Sequence, residues 1–278
     1  MSEANTNIPT SEQLEKYEAL KNYLRSLGSA AVAFSGGVDS TLLLTAAKEA
    51  LKENMIAVTA SSAFIPASEL TQAKSFCLSQ GIRQIICDFD VTSRENITRN
   101  PPNRCYLCKK ELFRLFLKTA EENGLACVVE GSNLDDTGDY RPGLLAIKEL
   151  GIISPLKECG LWKKDIRAIL RYLGLPVWDT PSFACLASRF VYGEMITEEK
   201  LGMVEQAEQL LMKLGFRQFR VRIHGTLARL EVLPEDFPRL TEENTRTLIV
   251  STLKNLGFSY VSMDLAGYRS GSMNETLS

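Results

Sequence analysis

Short apolar runs alternate with helical stretches through the first part of the chain, and that alternation constrains the fold more than any composition figure. Ala30–Phe34, Met55–Thr59, Ile82–Cys87, Cys127–Val129 and Ile152–Ser154 read as buried strands. Thr41–Lys52, Ser68–Gln80, Tyr106–Glu122 and Gly143–Leu150 lie between them and read as helices. Apolar strands separated by helices form βαβ units, whose parallel sheet is covered on both faces. A helix over Ser11–Leu27 precedes the first strand, with Leu14, Tyr17, Leu20, Leu24 and Leu27 at three- and four-residue steps and Gly28 as its stop. Lys163–Leu173 is a further amphipathic helix, ending at Gly174.

The aperiodic segment Leu175–Phe190 contains two prolines and reads as a functional loop near a domain boundary. Beyond it come a helix (Thr197–Leu214), strands (Phe219–His224 and Ala228–Leu233), a helix (Glu242–Leu256) and a strand (Ser259–Leu265). The expected architecture is an α/β domain over residues 1–180 and a smaller α+β domain over residues 181–278. The last residues, GSMNETLS, read as a tail, and no internal repeat is apparent.

Charge narrows the function. Lys+Arg 32 against Asp+Glu 34 gives a net charge of −2, which disfavours non-specific nucleic-acid binding. No apolar run approaches the ~18 residues that span a bilayer. The polar start, MSEANTNIPT, lacks the features of a secretory signal, so the expectation is a soluble, cytoplasmic protein. A single histidine, His224, rules out a His-rich zinc site, and an odd number of cysteines argues against a disulfide framework.

Ser35-Gly36-Gly37-Val38-Asp39-Ser40 sits between the first sheet strand and the helix after it. Two glycines let backbone N–H groups approach a polyphosphate, and the helix points its positive end at the same anion. Ser35 and Ser40 offer hydroxyls, and Asp39 can hold Mg²⁺ or orient the turn. No lysine follows the glycines, so this is not a Walker A loop. The turn resembles the PP-loop of the ATP pyrophosphatases, which split ATP into AMP and pyrophosphate to activate an acyl or amide oxygen. A second cluster, Glu130-Gly131-Ser132-Asn133-Leu134-Asp135-Asp136, follows the Cys127–Val129 strand at the sheet edge where ligands bind. Gly131, Asp135 and Asp136 join the nucleotide and Mg²⁺ site on this reading.

Cys105 and Cys108 are spaced i, i+3, so two thiolates share one helix face beside Arg104, Lys109 and Lys110. One CxxC alone leaves metal-binding and incidental roles open. Cys185, with Arg189 close behind it, reads as a reactive thiol or as a small core residue. Cys77, Cys87, Cys127 and Cys159 read as core. Arg220 and Arg222 share one face of their strand and suit phosphate recognition.

In chain order, SGGVDS, NRCYLCK, EGSNLDD, DYRPG (Asp139–Gly143), SPL (Ser154–Leu156), CLASR and GYRSGS (Gly267–Ser272) resemble the LarE family. These are the ATP-dependent sulfur transferases that mature the nickel-pincer nucleotide of lactate racemase. The resemblance implies a PP-loop, adenine nucleotide alpha hydrolase-like fold. It also implies adenylation of the carboxylates of pyridinium-3,5-biscarboxylic acid mononucleotide and their conversion to thiocarboxylates. Asp39 and Cys185 would be catalytic; Arg104, Arg189, Arg220 and Arg222 would bind substrate. In members with a CxxC pair, three cysteines, here Cys105, Cys108 and Cys185, hold a 4Fe–4S cluster; in others the counterpart of Cys185 gives up its own sulfur. ATP, Mg²⁺, a homo-oligomer, and carboxylase and nickel-insertion enzymes of the same pathway follow as implied cofactors and partners. A tRNA thiolation enzyme is the runner-up, opposed by the net charge and the lack of an RNA-binding stretch. An amide-forming ligase would leave the CxxC without a role, and a non-catalytic nucleotide-binding module is the remaining alternative.

Overall fold

The computed structural model describes residues 8–138, 142–181, 184–269 and 271–277. In chain order the elements are α1 (Ser11–Ser26), β1 (Ala30–Ala33), α2 (Val38–Leu51), β2 (Met55–Ser61), α3 (Ala67–Ser79), β3 (Gln84–Asp88), α4 (Glu95–Thr98), α5 (Arg104–Glu122) and β4 (Val128–Val129). They continue with α6 (Pro142–Glu149), α7 (Pro155–Glu158), α8 (Lys163–Tyr172), α9 (Glu198–Lys213), β5 (Phe219–His224), β6 (Leu227–Val232), α10 (Phe237–Thr241), α11 (Glu243–Asn255) and β7 (Tyr260–Met263). Two compact units form: residues 1–89 with 105–183, and residues 90–104 with 184–278.

The first unit is built on a parallel sheet of order β3-β2-β1-β4. Alternate side chains of each strand enter opposite cores, as the strand period requires. Ala30, Val32, Met55, Ala57 and Val129 pack with Leu20 and Leu24 of α1, Leu42 and Leu43 of α2, and Ile166 and Ile169 of α8. Ala31, Ile56, Val58 and Val128 pack on the other face with Phe113 and Phe116 of α5 and Ile147 of α6. Both faces are therefore dry, which accounts for continuously apolar strands. α1 starts with a capping box, Thr10 and Gln13 bonding each other's backbone N–H at 3.2 and 3.0 Å. The expected strand Ile152–Ser154 is reduced to one bridge, Ile153 to Val129, because Pro155 begins α7 directly after it.

Strand order reverses beside β1: β2 and β3 lie on one side of it and β4 on the other. Loops leaving β1 and β4 diverge at that switch point, where α/β sheets open a crevice.

The second unit has a three-stranded sheet of order β5-β6-β7, with β5–β6 antiparallel and β6–β7 parallel. α9 packs on β5, and α11 on α9 and β7. The C-terminal residues are a docked turn rather than a tail: 272–277 form a 3₁₀ turn, and Ser272 and Met273 are buried. Ser272 Oγ bonds Glu231 Oε1 at 3.0 Å, which gives that turn its anchor.

Candidate functional site

The switch point carries the first site. Gly37 precedes α2, and Gly36 has φ +78°, a left-handed conformation that glycine adopts without strain. Ser40 closes the turn: its Oγ donates to Gly37 O at 3.1 Å, accepts from Ser35 N at 3.3 Å and lies 3.1 Å from Ser35 Oγ. The β4 loop comes so close that a Cβ on Gly131 would sit 3.2 Å from Ser40 N and 3.3 Å from Asp39 Cβ.

Asp39 joins three segments. Its Oδ1 accepts from Asn133 Nδ2 at 3.2 Å, and its Oδ2 from Lys163 Nζ at 2.5 Å. Lys163 N in turn donates to Asp135 Oδ2 at 2.6 Å, and Asn133 N to Asp136 Oδ2 at 2.9 Å. Burial lifts the Asp39 carboxyl above its ordinary pKa; the Lys163 charge opposes that lift, and Asp136 reinforces it. Glu130 is 7% exposed and accepts from Ser132 N, Ser132 Oγ and Ser154 Oγ, fixing the start of the same loop. The structure thus gathers Ser35, Gly36, Gly37, Asp39, Ser40, Gly131, Asp135 and Asp136 in one place. Carboxylates, hydroxyls and the N-terminal N–H groups of α2 there suit a Mg²⁺-bound polyphosphate.

Sequence reading missed Lys163. Its signal was electrostatic: two lysines, Lys163 and Lys164, open α8, where the helix dipole disfavours cations. The position is occupied because Asp39 and Asp135 lie opposite it. Asp165 steadies that turn, accepting from Trp162 N at 3.1 Å and from Gln13 and Lys16 of α1.

The second unit buries the four arginines. Arg189 is fully buried and grips Glu208 with two bonds, at 2.9 and 2.8 Å. Arg222 reaches Glu231 and Ser272, each at 2.9 Å. Arg229 stands directly across the ladder from Arg222, a like-charge pair that Glu231 relieves by accepting from both. Arg220 donates to Phe219 O and lies 5.2 Å over the Tyr268 ring. Burial pulls the Arg220 guanidinium below its ordinary pKa, helped by Arg189 and opposed by Tyr268 and Glu208. Arg104 donates to Asn100 Oδ1 at 2.5 Å and to Ala187 O at 2.8 Å. Cys185 is exposed and precedes a 3₁₀ turn over Leu186–Arg189. Ser182, Phe183, Asp139–Arg141 and Ser270, which fall in the expected loop and motifs, lie outside the described residues.

Cys105 and Cys108, half-buried, occupy the first two turns of α5, with Lys110 drawn to Glu149 and the Tyr106 hydroxyl. Burial pushes the Cys77 thiol up to about 12 and raises Cys87, Cys127 and Cys159 as well; Cys77 and Cys87 lie in the cores as expected, while Cys127 and Cys159 are half-buried against one of them. Among the described residues, no three His, Cys, Asp or Glu side chains stand together as a metal-holding group. No helix among them is long and apolar enough to cross a membrane.

Comparison with known proteins settles the family. The chain is 39% identical, over 259 residues, to the pyridinium-3,5-bisthiocarboxylic acid mononucleotide synthase of Lactiplantibacillus plantarum, covering 91% of this chain and 92% of that one. The chain belongs to that synthase family. An uncharacterized Synechocystis protein is 43% identical over 94% of this chain and 98% of its own. The NAD synthase family profile matches residues 13–111, which hold the Ser35–Ser40 turn. A component of the glutamine-hydrolyzing GMP synthase of Archaeoglobus fulgidus is 27% identical over 66% of this chain and 64% of its own. The protein is thus an ATP-using enzyme of the PP-loop class.

Proposed function

We propose that this synthase-family member is an AMP-forming sulfur transferase acting on pyridinium-3,5-biscarboxylic acid mononucleotide. The observation that carries the reading is the Asp39–Lys163–Asn133 junction at the switch point, in a chain of this family. A substrate carboxylate oxygen attacks the α-phosphorus of ATP and pyrophosphate leaves, giving an acyl adenylate. Backbone N–H groups of the Ser35–Ser40 turn hold the phosphates, and Asp39 takes Mg²⁺ together with phosphate oxygens, while Asp135 and Asp136 hold the Lys163 and Asn133 segments beside it. Lys163 leaves Asp39 to neutralise the departing pyrophosphate. Sulfur then bonds to the carbonyl carbon as its bond to the AMP oxygen breaks, leaving a thiocarboxylate and AMP.

Cys105, Cys108 and Cys185 would hold a 4Fe–4S cluster, which would supply the sulfide for the thiocarboxylate. Cys105 and Cys108 share one turn-spaced stretch of α5, and Cys185 is the exposed thiol among the seven. Arg220 and Arg222 meet the substrate's phosphate and carboxylates. In support, Arg222 Nε is buried with no acceptor among the described residues. The 181–278 region contributes to substrate binding and to a homo-oligomer. The enzyme works in the cytoplasm, between a carboxylase that makes its substrate and an enzyme that inserts nickel into its product.

The test is AMP and pyrophosphate formation dependent on the carboxylated nucleotide, with an anaerobic iron spectrum beside it. ADP and phosphate as products would refute the adenylation. Cys105→Ala, Cys108→Ala and Cys185→Ala should each remove the iron chromophore and sulfur transfer while AMP formation continues. Dehydroalanine at position 185 in iron-replete protein after one turnover would instead establish Cys185 as the sulfur donor.

A further inference from the structure

The segment Ala184–Ser188 bears an exposed thiol at Cys185 but has little regular structure of its own. Two turn bonds, Ser188 N to Cys185 O at 3.0 Å and Phe190 N to Ala187 O at 3.3 Å, close it. Arginines hold its carbonyls as well. Arg189 Nη1 donates to Ala184 O at 2.5 Å and to Cys185 O at 3.1 Å. Arg104 Nη1 donates to Ala187 O at 2.8 Å, and Arg222 Nη1 to Ser188 O at 2.8 Å. Four carbonyls of a five-residue stretch therefore end on three guanidiniums, each at most 5% exposed.

Each guanidinium is itself anchored on a buried group: Arg189 on Glu208, Arg222 on Glu231, and Arg104 on Asn100. Asn100 fastens the far end of the loop too. Its Nδ2 donates to Val191 O at 2.7 Å, and its own carbonyl accepts from Gly193 N at 2.9 Å. It does so at φ +53°, a left-handed conformation that Asn tolerates better than most side chains. Fixed charges that terminate on carbonyl oxygens hold a loop more firmly than neutral hydrogen bonds do.

We propose that Arg104 is a positioning residue that, with Arg189 and Arg222, mounts the Cys185 thiol for sulfur transfer, and is not a cation for the substrate. This rests on the sulfur-transfer reading. Transfer requires sulfur and an acyl carbon in near-attack geometry, and a misplacement of 1 Å can cost on the order of 10²-fold.

The test uses full-length Arg104→Met and Arg104→Lys. In Arg104→Met, kcat for thiocarboxylate formation should fall by about 10- to 100-fold. Pyrophosphate release, and its KM for the carboxylated nucleotide, should stay within about twofold of the parent on the same grounds. Deuterium uptake by the peptide covering 184–191 should quicken by about tenfold, with residues 35–40 unchanged. Arg104→Lys should recover part of the rate, since an ammonium can reach one acceptor but not two at fixed angles. If Arg104→Met does not fold, Asn100→Gly, which keeps the left-handed backbone and removes the anchor, should give the same pattern. A raised KM with kcat unchanged would overturn the proposal and restore Arg104 to substrate binding. So would deuterium uptake equal to the parent's. Should the parent itself release no AMP, the function reading fails, while the exchange measurement still decides whether Arg104 holds the loop.

Discussion

Replacing Gly131 by alanine probes the closest approach in the nucleotide site. Gly131 has no positive φ, so the reason for glycine is space rather than backbone conformation. An added Cβ would lie 3.2 Å from Ser40 N, 3.3 Å from Asp39 Cβ and 3.4 Å from Asp39 C. Two of these atoms are backbone in the first turn of α2 and cannot swing aside, so that turn or the 130–133 loop must retreat by a few tenths of an ångström. Overpacking of this kind costs about 1–3 kcal/mol, or roughly 2–4 °C in melting temperature per kcal/mol. The moving atoms belong to the phosphate cradle, so kcat/KM for AMP formation should fall by about three- to tenfold. Gly151→Ala is the matched control. Gly151 has φ +65° and nothing within 4 Å of its added Cβ, so alanine there adds strain of about 1–2 kcal/mol without touching the loop. Differential scanning calorimetry and a coupled pyrophosphate assay on both variants decide the matter. A Gly131→Ala enzyme that loses stability but keeps its rate of ATP cleavage would refute the reasoning.

Asp39→Asn should abolish AMP formation. Its folded pKa lies above the ordinary value, so the ionised carboxylate penalises the fold as pH rises through that pKa. The variant's melting temperature relative to the parent should therefore increase from pH 4 to pH 8. Lys163→Met leaves burial of Asp39 unopposed, and the acid limb of the AMP-formation profile should move to higher pH. Arg189→Met strands Glu208, which is 8% exposed, and should cost about 3–5 kcal/mol in urea unfolding.

The parts legible in the sequence are those with local causes. Ser35–Ser40 declares itself because strand, glycines and helix are contiguous, and the two-sided cores follow from runs such as Ala30–Phe34. Lys163 stayed hidden because its partner Asp39 is 124 positions away. The arginines read as cations for a substrate because a guanidinium suits phosphate and carboxylate. Their burial depends on Glu208 and Glu231, whose pairing only the β5–β6 register and α9 packing bring about. The polar stretch GSMNETLS carried no sign of docking, since its anchor, Glu231, is 41 positions from Ser272.

Residues 90–104 belong with a unit whose remaining residues begin at 184, and this has a consequence for synthesis. Arg104 leaves the ribosome 83 positions ahead of its acceptor at Ala187, and Asn100 leaves 91 ahead of Val191. At about 5–20 residues per second, that is a wait of roughly 4–18 s. For that interval β1 to β4 can assemble, while a guanidinium and a carboxamide destined for burial stay in water. A fragment starting at residue 181 would never receive them. Its Ala187 and Val191 carbonyls would keep only the backbone N–H groups of Phe190 and Glu194, and would lose the side-chain donors that the intact chain delivers early and holds in reserve.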